Sequence, residues 1–257
     1  MNIKILVATH KDYFMPHDGM YLPVRVGSAL AKDNFGFQGD DEGESISEKN
    51  PYFCELTALY WGWKNLKVNY IGLAHYRRHF SLRHKNNNWE SVLTQVQAEY
   101  LRQNADIVLP KKRRYWIETI ESHYRHTHDI SHLRLTREII SERCPEYVTE
   151  FDNVMKRRCA HIFNMFIMRK DLADDYCEWL FGILFELEKR IDVTGLSAFD
   201  ARLFGRVSEL LLDVWISKKG LKYKEIGFVP IGPYSFWKKA GFFLKAKLLG
   251  KKYSVSA

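Results

Sequence analysis

An α/β fold, with a mostly parallel sheet flanked by helices, a C-terminal helical lobe and a basic amphipathic tail, is predicted by three observations. Short apolar segments stop abruptly in polar clusters, long stretches between them carry apolar residues at helical spacing, and the C-terminus alternates lysines with aromatic and aliphatic residues. Ile3 to Thr9 reads as a buried first strand that delivers His10 and Lys11 to a ligand crevice at its carboxyl end. Residues 13–50, with Pro16, Pro23, Gly19, Gly27, Gly36, Gly39 and Gly43, read as a long excursion with little regular structure, and long loops of this kind are often functional. A helix follows, with Asn50 as N-cap, Pro51 in the first turn and Phe53, Leu56, Leu59, Tyr60, Trp63 and Leu66 on one face; Glu55, Ala58 and Gly62 take the other. Residues 70–74 form the next buried strand, ending in His75, Tyr76, Arg77, Arg78 and His79.

A helix over 89–103, a strand over 106–110 and helical stretches to about 158 continue the alternation, and 161–168 is the next apolar strand. Helical periodicity returns over 172–190 and 199–218 with a turn near Gly195. The domain reading is one unit over 1–230, with an α/β part to about 168 and a helical lobe over about 169–225, followed by a basic aromatic tail over 231–257 suited to a membrane interface.

Composition narrows the class. A chain of 257 residues with 46% hydrophobic and 27% charged side chains excludes disorder and collagen-like structure. A net charge of +8 favours anionic partners: nucleotides, phosphorylated lipids, nucleic acid or a membrane surface. The four cysteines show no CxxC pair, as expected of reduced structural thiols, and the apolar start is too short for a signal peptide core, so a cytoplasmic or peripheral location is expected. GxSxG, Walker and GxGxxG motifs are missing, which lowers the weight of hydrolase, P-loop and dinucleotide readings.

Several constellations carry chemistry beside a blander alternative. The run Asp40, Asp41, Glu42 and Glu44 between glycines can hold a divalent cation, orient sugar hydroxyls or form a solvated turn. His75, Arg77 and Arg78 at a strand end suit a diphosphate, since guanidinium groups match phosphate oxygens and stay charged. The run at 111–114, KKRR, reads as a solvated face. His123, His126, His128 and His132 match no zinc spacing. Asn164, Asp200 and Glu209 place polar groups in apolar surroundings, either as bonded core residues or, for the two acids, as a general base.

The strings ILVATHKDYFMP, GDDEGESISEKNPYFCELTALYWGWKN, YIGLAHYRRHF, HIFNMFIM and RLFGRVSELLLDVWI, spread in order over about residues 3–230, together resemble a bacterial family long labelled only as a domain of unknown function. That family is encoded in capsular, exopolysaccharide and O-antigen gene clusters, and its members are regarded as glycosyltransferases with a GT-A-like, Rossmann-type domain. Where it usually has SERLL, this chain has SELLL at 208–212, keeping the glutamate and losing the arginine. The resemblance implies a galactosyl- or galactofuranosyltransferase that uses a UDP-sugar and an undecaprenyl-diphosphate-linked glycan at the inner face of the plasma membrane, with no nucleic-acid partner. Thr9, His10, Lys11, His75, Tyr76, Arg77, Arg78 and Asn164 would then contact the donor and its diphosphate. Asp40, Asp41 and Glu55 would contact sugar or acceptor, and Glu209 or Asp200 would act as base. GT-A enzymes usually carry Asp-x-Asp and a metal where this chain has HYRR, so fixed positive charge is expected to replace Mn²⁺ or Mg²⁺, and no cofactor is expected. The alternatives are a noncatalytic scaffold that binds nucleotide sugar or lipid, and a basic nucleic-acid-binding module.

Overall fold

The computed structural model describes residues 2–82 and 88–231, with the side chain of Asn104 left aside. The elements in chain order are β1 (Ile3–Thr9), β2 (Tyr21–Arg25), β3 (Gln38–Gly39), α1 (Asn50–Phe53), α2 (Leu56–Asn65), β4 (Tyr70–His75), β5 (Arg78–Ser81), α3 (Gln95–Leu101), β6 (Ile107–Pro110), β7 (Arg113–Arg114), α4 (Ile120–Thr127), α5 (Ser131–Arg143), α6 (Val148–Met155), β8 (Cys159–Ala160), β9 (Phe166–Arg169), α7 (Lys170–Arg190), α8 (Leu203–Lys219) and β10 (Tyr223–Pro230).

The sheet is mixed, which corrects the mostly parallel expectation. Strands β3, β2, β1 and β4 run parallel, as do β6 and β10, but β4 with β9, β6 with β9, β5 with β10, β4 with β5 and the small β7–β8 ladder are antiparallel. The departure comes from β4, which changes partner along its length. Tyr70 to Leu73 pair with β9, whereas His75 pairs with Arg78 of β5. From there the pairings β5–β10–β6–β9 return to β4, closing a circuit of five strands.

Strand β1 is buried on both faces because Leu6 and Ala8 join one core and Ile3, Ile5 and Val7 the other, the period-two alternation of a two-sided strand. The first core, which includes Phe53, Phe181, Phe204 and Trp215, is covered by α2 and α5 to α8; the second collects Met20, Tyr21, Phe80, Leu93 and Val229. Gly72 permits the close approach of β9 to β4, since a Cβ there would lie 2.8 Å from the carbonyl oxygen of Phe166.

Other expectations are corrected as well. The excursion over 13–50 contains β2, hidden by Pro23, a residue tolerated because β3 pairs with only Val24 and Arg25. The helix from residue 50 breaks at Cys54 (φ 54°), and Asn50 is not its N-cap but the first residue of α1, its amide donating to Cys54 O at 2.8 Å and Thr57 Oγ1 at 3.2 Å. α-Helix within 89–103 is confined to α3, which Thr94 and Gln97 open with a capping box, with short 3-10 helices at Trp89–Ser91 and Arg102–Asn104. Strand structure within 161–168 starts only at Phe166. Strands β5 and β10 lie in stretches read from sequence as a polar strand end and the approach to the tail. The tail assigned to 231–257 lies, apart from Ile231, outside the described residues. No helix among them is long and apolar enough to cross a membrane.

Candidate active site

Where β4 leaves β9 for β5, the gap at its carboxyl end is filled by the segment before β9. Phe163 and Asn164 both adopt the left-handed backbone there, with φ of 78° and 53°. For non-glycine residues this costs about 1–2 kcal/mol each, and the surroundings must enforce it. The enforcing contacts come from three elements. Phe163 O accepts a hydrogen bond from His75 Nε2 at 2.6 Å, and because a carbonyl only accepts, the imidazole carries its proton on Nε2. The Asn164 amide donates to Glu55 Oε1 at 2.7 Å and to Gly205 O at 3.0 Å, while Ser208 Oγ lies 2.9 Å from Asn164 Oδ1. Just upstream, buried His161 uses Nδ1 and its backbone N–H on Asp213 and places Nε2 3.1 Å from Glu225, tying the turn to α8 and β10.

Glu55 reaches the turn because the helix breaks one residue earlier. It is buried, 3.9 Å from His75 Nε2. Burial pushes His75 below the ordinary histidine range, Arg78 and Arg202 push the same way, and Glu55 opposes them. Burial and Glu55 push the Cys54 thiol up to about 11, which leaves it a neutral partner for Arg202 Nε at 3.2 Å rather than a nucleophile.

Glu209, half-buried on α8, meets the same turn through a backbone hydrogen bond from Phe163. Burial first and the Glu55 charge second push its carboxyl up to about 7, against a backbone hydrogen bond from Phe163 and the charges of Arg78 and Arg113. A carboxyl titrating there can take a proton from a hydroxyl near neutral pH. It opens on a cavity of about 100 Å³ lined by Arg113, Tyr115, His123, Tyr124, His128 and Arg206, among others. His128 is pushed down to about 3, mainly by burial, so the cavity wall carries a neutral ring, and its Nδ1 is buried with no partner among the described residues.

Cations gather at the carboxyl ends of β1 and β4. His10 is pushed down by burial and then by Lys11, Arg25, Arg77 and Arg202, which places all four charges around one ring. Thr9 is buried and shapes this loop, its hydroxyl donating to Lys11 O at 2.7 Å and accepting from Lys11 N at 3.2 Å. Arg77 is exposed and donates to Tyr76 Oη at 2.7 Å; the Tyr76 ring meets His10 and Tyr13 edge-on at 5.3 and 5.0 Å. Arg78 lies 4.3 Å over the Phe163 ring. Such a crevice, at the carboxyl ends of parallel strands and rich in guanidinium groups, can take a diphosphate.

The remaining sequence candidates fall elsewhere. The Asp40 carboxylate is buried and spent on the loop, accepting from Gly27 N at 2.9 Å, Ser28 N at 3.0 Å and the Ser47 hydroxyl. Asp41 and Glu42 are exposed, the latter bonded to Gln38 at 2.8 Å. Asp200 is exposed and accepts from Ser197 Oγ at 2.7 Å. His123 and His126 both bond Glu118 at 2.8 Å, whereas His132 lies 3.2 Å from Tyr124 Oη. No group of three or more His, Cys, Asp or Glu able to hold a metal ion occurs among the described residues.

Reading the sequence missed Arg202, Arg206, Ser208, His161 and Asp213. For the two arginines a signal exists: positions 202, 206 and 209 follow helical spacing and bring both guanidinium groups to the side of α8 that carries Glu209. The left-handed turn at 163–164 gives none, because neither residue is glycine.

Fold and site thus define an α/β protein with an anion-competent crevice beside a carboxylate of raised pKa. The family model described as "Domain of unknown function (DUF4422)" matches residues 4–220, and the chain belongs to that family. It is similar to the apo structure of WbbM, described as a bifunctional glycosyltransferase, with a TM-score of 0.84 and 31% identity over 92% of this chain and 46% of that one. The chain therefore spans about half the length of that relative. No curated protein matches it.

Proposed function

We propose that the chain is a glycosyltransferase that moves a hexosyl group, galactose in pyranose or furanose form, from a UDP-sugar to a glycan carried on undecaprenyl diphosphate, in the assembly of a bacterial surface polysaccharide. The observation that carries the reading is the juxtaposition of Glu209, raised to about 7, with the cations around His10 at the carboxyl ends of β1 and β4. The likeness to WbbM supports the same reading. In it, Arg202, Arg77 and Lys11 neutralise the departing diphosphate, fixed charge serving in place of a divalent metal. Glu209 takes the proton of the acceptor hydroxyl as that oxygen attacks the anomeric carbon. Asn164 holds Glu55 toward the sugar rather than contacting the donor itself, since both of its amide hydrogens are already used.

The test is a thermal-shift panel of uridine, guanosine, cytidine and thymidine diphosphates, each with and without EDTA. A ligand that binds only the folded state raises its melting temperature. Selective stabilisation by UDP that survives EDTA is the expected result. Loss of the shift in EDTA would overturn the metal-free part, and no response to any nucleotide would overturn the donor assignment.

A further inference from the structure

The loop that follows the short strand β7 carries two adjacent, highly exposed large apolar residues, Trp116 at 77% and Ile117 at 74% of full exposure. An isolated exposed apolar side chain is ordinary, but an adjacent pair at a loop tip is not. The tip is also built rigidly. Trp116 is held in the left-handed region at φ 55°, Ile117 N and Glu118 N both donate to Tyr115 O, at 2.7 and 3.2 Å, and Tyr115 N is bound to Arg158 O at 2.9 Å. A strained, braced backbone that holds a tryptophan out in water needs a reason in what the tryptophan meets.

Charge around the tip supplies it. Lys111, Arg113 and Arg114 lead into the loop, Lys156 and Arg158 lie in the turn between α6 and β8, the strand paired with β7, all five are exposed, and none makes a salt bridge among the described residues. The nearby acid Glu118 is taken up by His123 and His126, and Glu121 by Arg125 at 2.6 Å. An aromatic and an aliphatic side chain inside a ring of unpaired cations match a bilayer surface: the apolar pair enters the headgroup boundary while lysine and arginine meet anionic lipid heads. A folded protein partner would be expected to bring acidic residues to this ring, but it would not require two neighbouring apolar side chains at a convex tip. Tyr115 and Arg113, at the start of the same loop, line the cavity onto which Glu209 opens.

We propose that the Trp116–Ile117 tip and its ring of Lys111, Arg113, Arg114, Lys156 and Arg158 form a docking surface for an anionic lipid bilayer, which sets the Glu209 cavity facing the membrane. The docking is separate from nucleotide-sugar chemistry, so vesicle binding is read with no nucleotide present and its failure is distinguishable from failure of the transferase reading.

The experiment uses the full chain and sedimentation with vesicles of phosphatidylcholine alone or mixed with phosphatidylglycerol. Wild type is expected on the mixed vesicles only. Trp116→Ser with Ile117→Ser is expected to weaken that binding about tenfold or more, and Lys111→Gln and Arg114→Gln about fivefold for each charge removed, with the melting temperature unchanged. Quenching of tryptophan fluorescence by brominated lipid is expected in wild type and is expected to fall in Trp116→Phe. Vesicle binding unaltered in the serine variant, or quenching unaltered in Trp116→Phe, overturns the proposal and leaves the residues beyond 231 as the membrane contact. Loss of self-association in place of lost vesicle binding overturns it in favour of a second copy of the chain.

Discussion

Glu55 and Glu209 each take a hydrogen bond from one left-handed turn, yet their surroundings differ. Glu55 is buried, receives the Asn164 amide at 2.7 Å and stands 3.9 Å from His75, a carboxylate enclosed by groups that fix its position. Glu209 takes a backbone hydrogen bond from Phe163, is pushed up to about 7 and borders a cavity that His128 also lines. Two acids held apart in this way divide the work between them: one is arranged to position, the other to exchange a proton. The variants that separate the two roles most sharply act on Glu209 first.

Glu209→Gln keeps the size of the side chain and removes its basicity. Loss of a general base costs between about a hundredfold and ten-thousandfold, and a fall in kcat of about a thousandfold is expected with UDP affinity unchanged. Steady-state kinetics beside nucleotide titration checks this, and a parallel loss of UDP binding would mean that Glu209 holds the donor instead. For the other acid, Asn164→Ala removes the group that ties Glu55 to α8 and leaves a buried carboxylate short of a donor. Destabilisation of about 3 kcal/mol is expected by denaturant unfolding. A loss below about 1 kcal/mol would show that Glu55 finds another partner and that the contrast between the two acids is overstated.

The same contrast has a pH signature. In the folded chain Glu209 titrates near 7 against an ordinary value of 4.5, so the unfolded chain gives up its proton first as pH rises. The stability that goes with a protonated Glu209 is therefore fully present below about pH 4.5 and is lost as pH climbs through about 7. Glu209→Gln is expected to match wild type near pH 4.5 and to exceed it above pH 7 by about 2 kcal/mol, less than the full shift because the side chain keeps some contact with water. Catalysis runs the opposite way, since a base must be ionised: wild-type kcat is expected to rise across the interval in which stability falls. Chemical denaturation of both proteins at several pH values reads the difference directly.

How much of this was legible in the sequence follows the same divide. The apolar run of β1, the strand ending in HYRR and the helical faces of α7 and α8 are patterns of period two or 3.6, and period survives in a linear string. Asn164 and Glu209 stood out as polar residues in apolar company. What did not survive was anything set by pairing at a distance. The pairing of β4 with β9 depends on Gly72 meeting Phe166, and β5 and β10 carry too many polar residues to show alternation. The break at Cys54 is hidden inside a good helical stretch, and without it Glu55 would lie on the outer face of one long helix instead of against Asn164. Asp40 misled for the opposite reason: clustered acids suggest a ligand, but its carboxylate is consumed by three donors of its own loop.

The smallest expected effect tests where the diphosphate lies relative to the two acids. Both Arg202 and Arg77 bear on His10, but they differ in what else holds them. Arg202 is half-buried, braced by Cys54 Sγ at 3.2 Å, and feels the charges of both Glu55 and Glu209, so it stands between the cationic crevice and the acids. Arg77 is exposed, and its contact is the Tyr76 hydroxyl at the outer rim. A cation held in place and shielded from water loses less entropy and less screening when a phosphate arrives. Arg202→Ala is therefore expected to weaken UDP binding about tenfold and Arg77→Ala about threefold, measured by calorimetry at fixed salt. The ratio carries the argument, because it ties the leaving group to the side of the crevice from which Glu209 can reach an acceptor. If Arg77 proves the larger loss, the diphosphate sits at the rim, and the path from Glu209 to the anomeric carbon must run past Tyr76 rather than along α8.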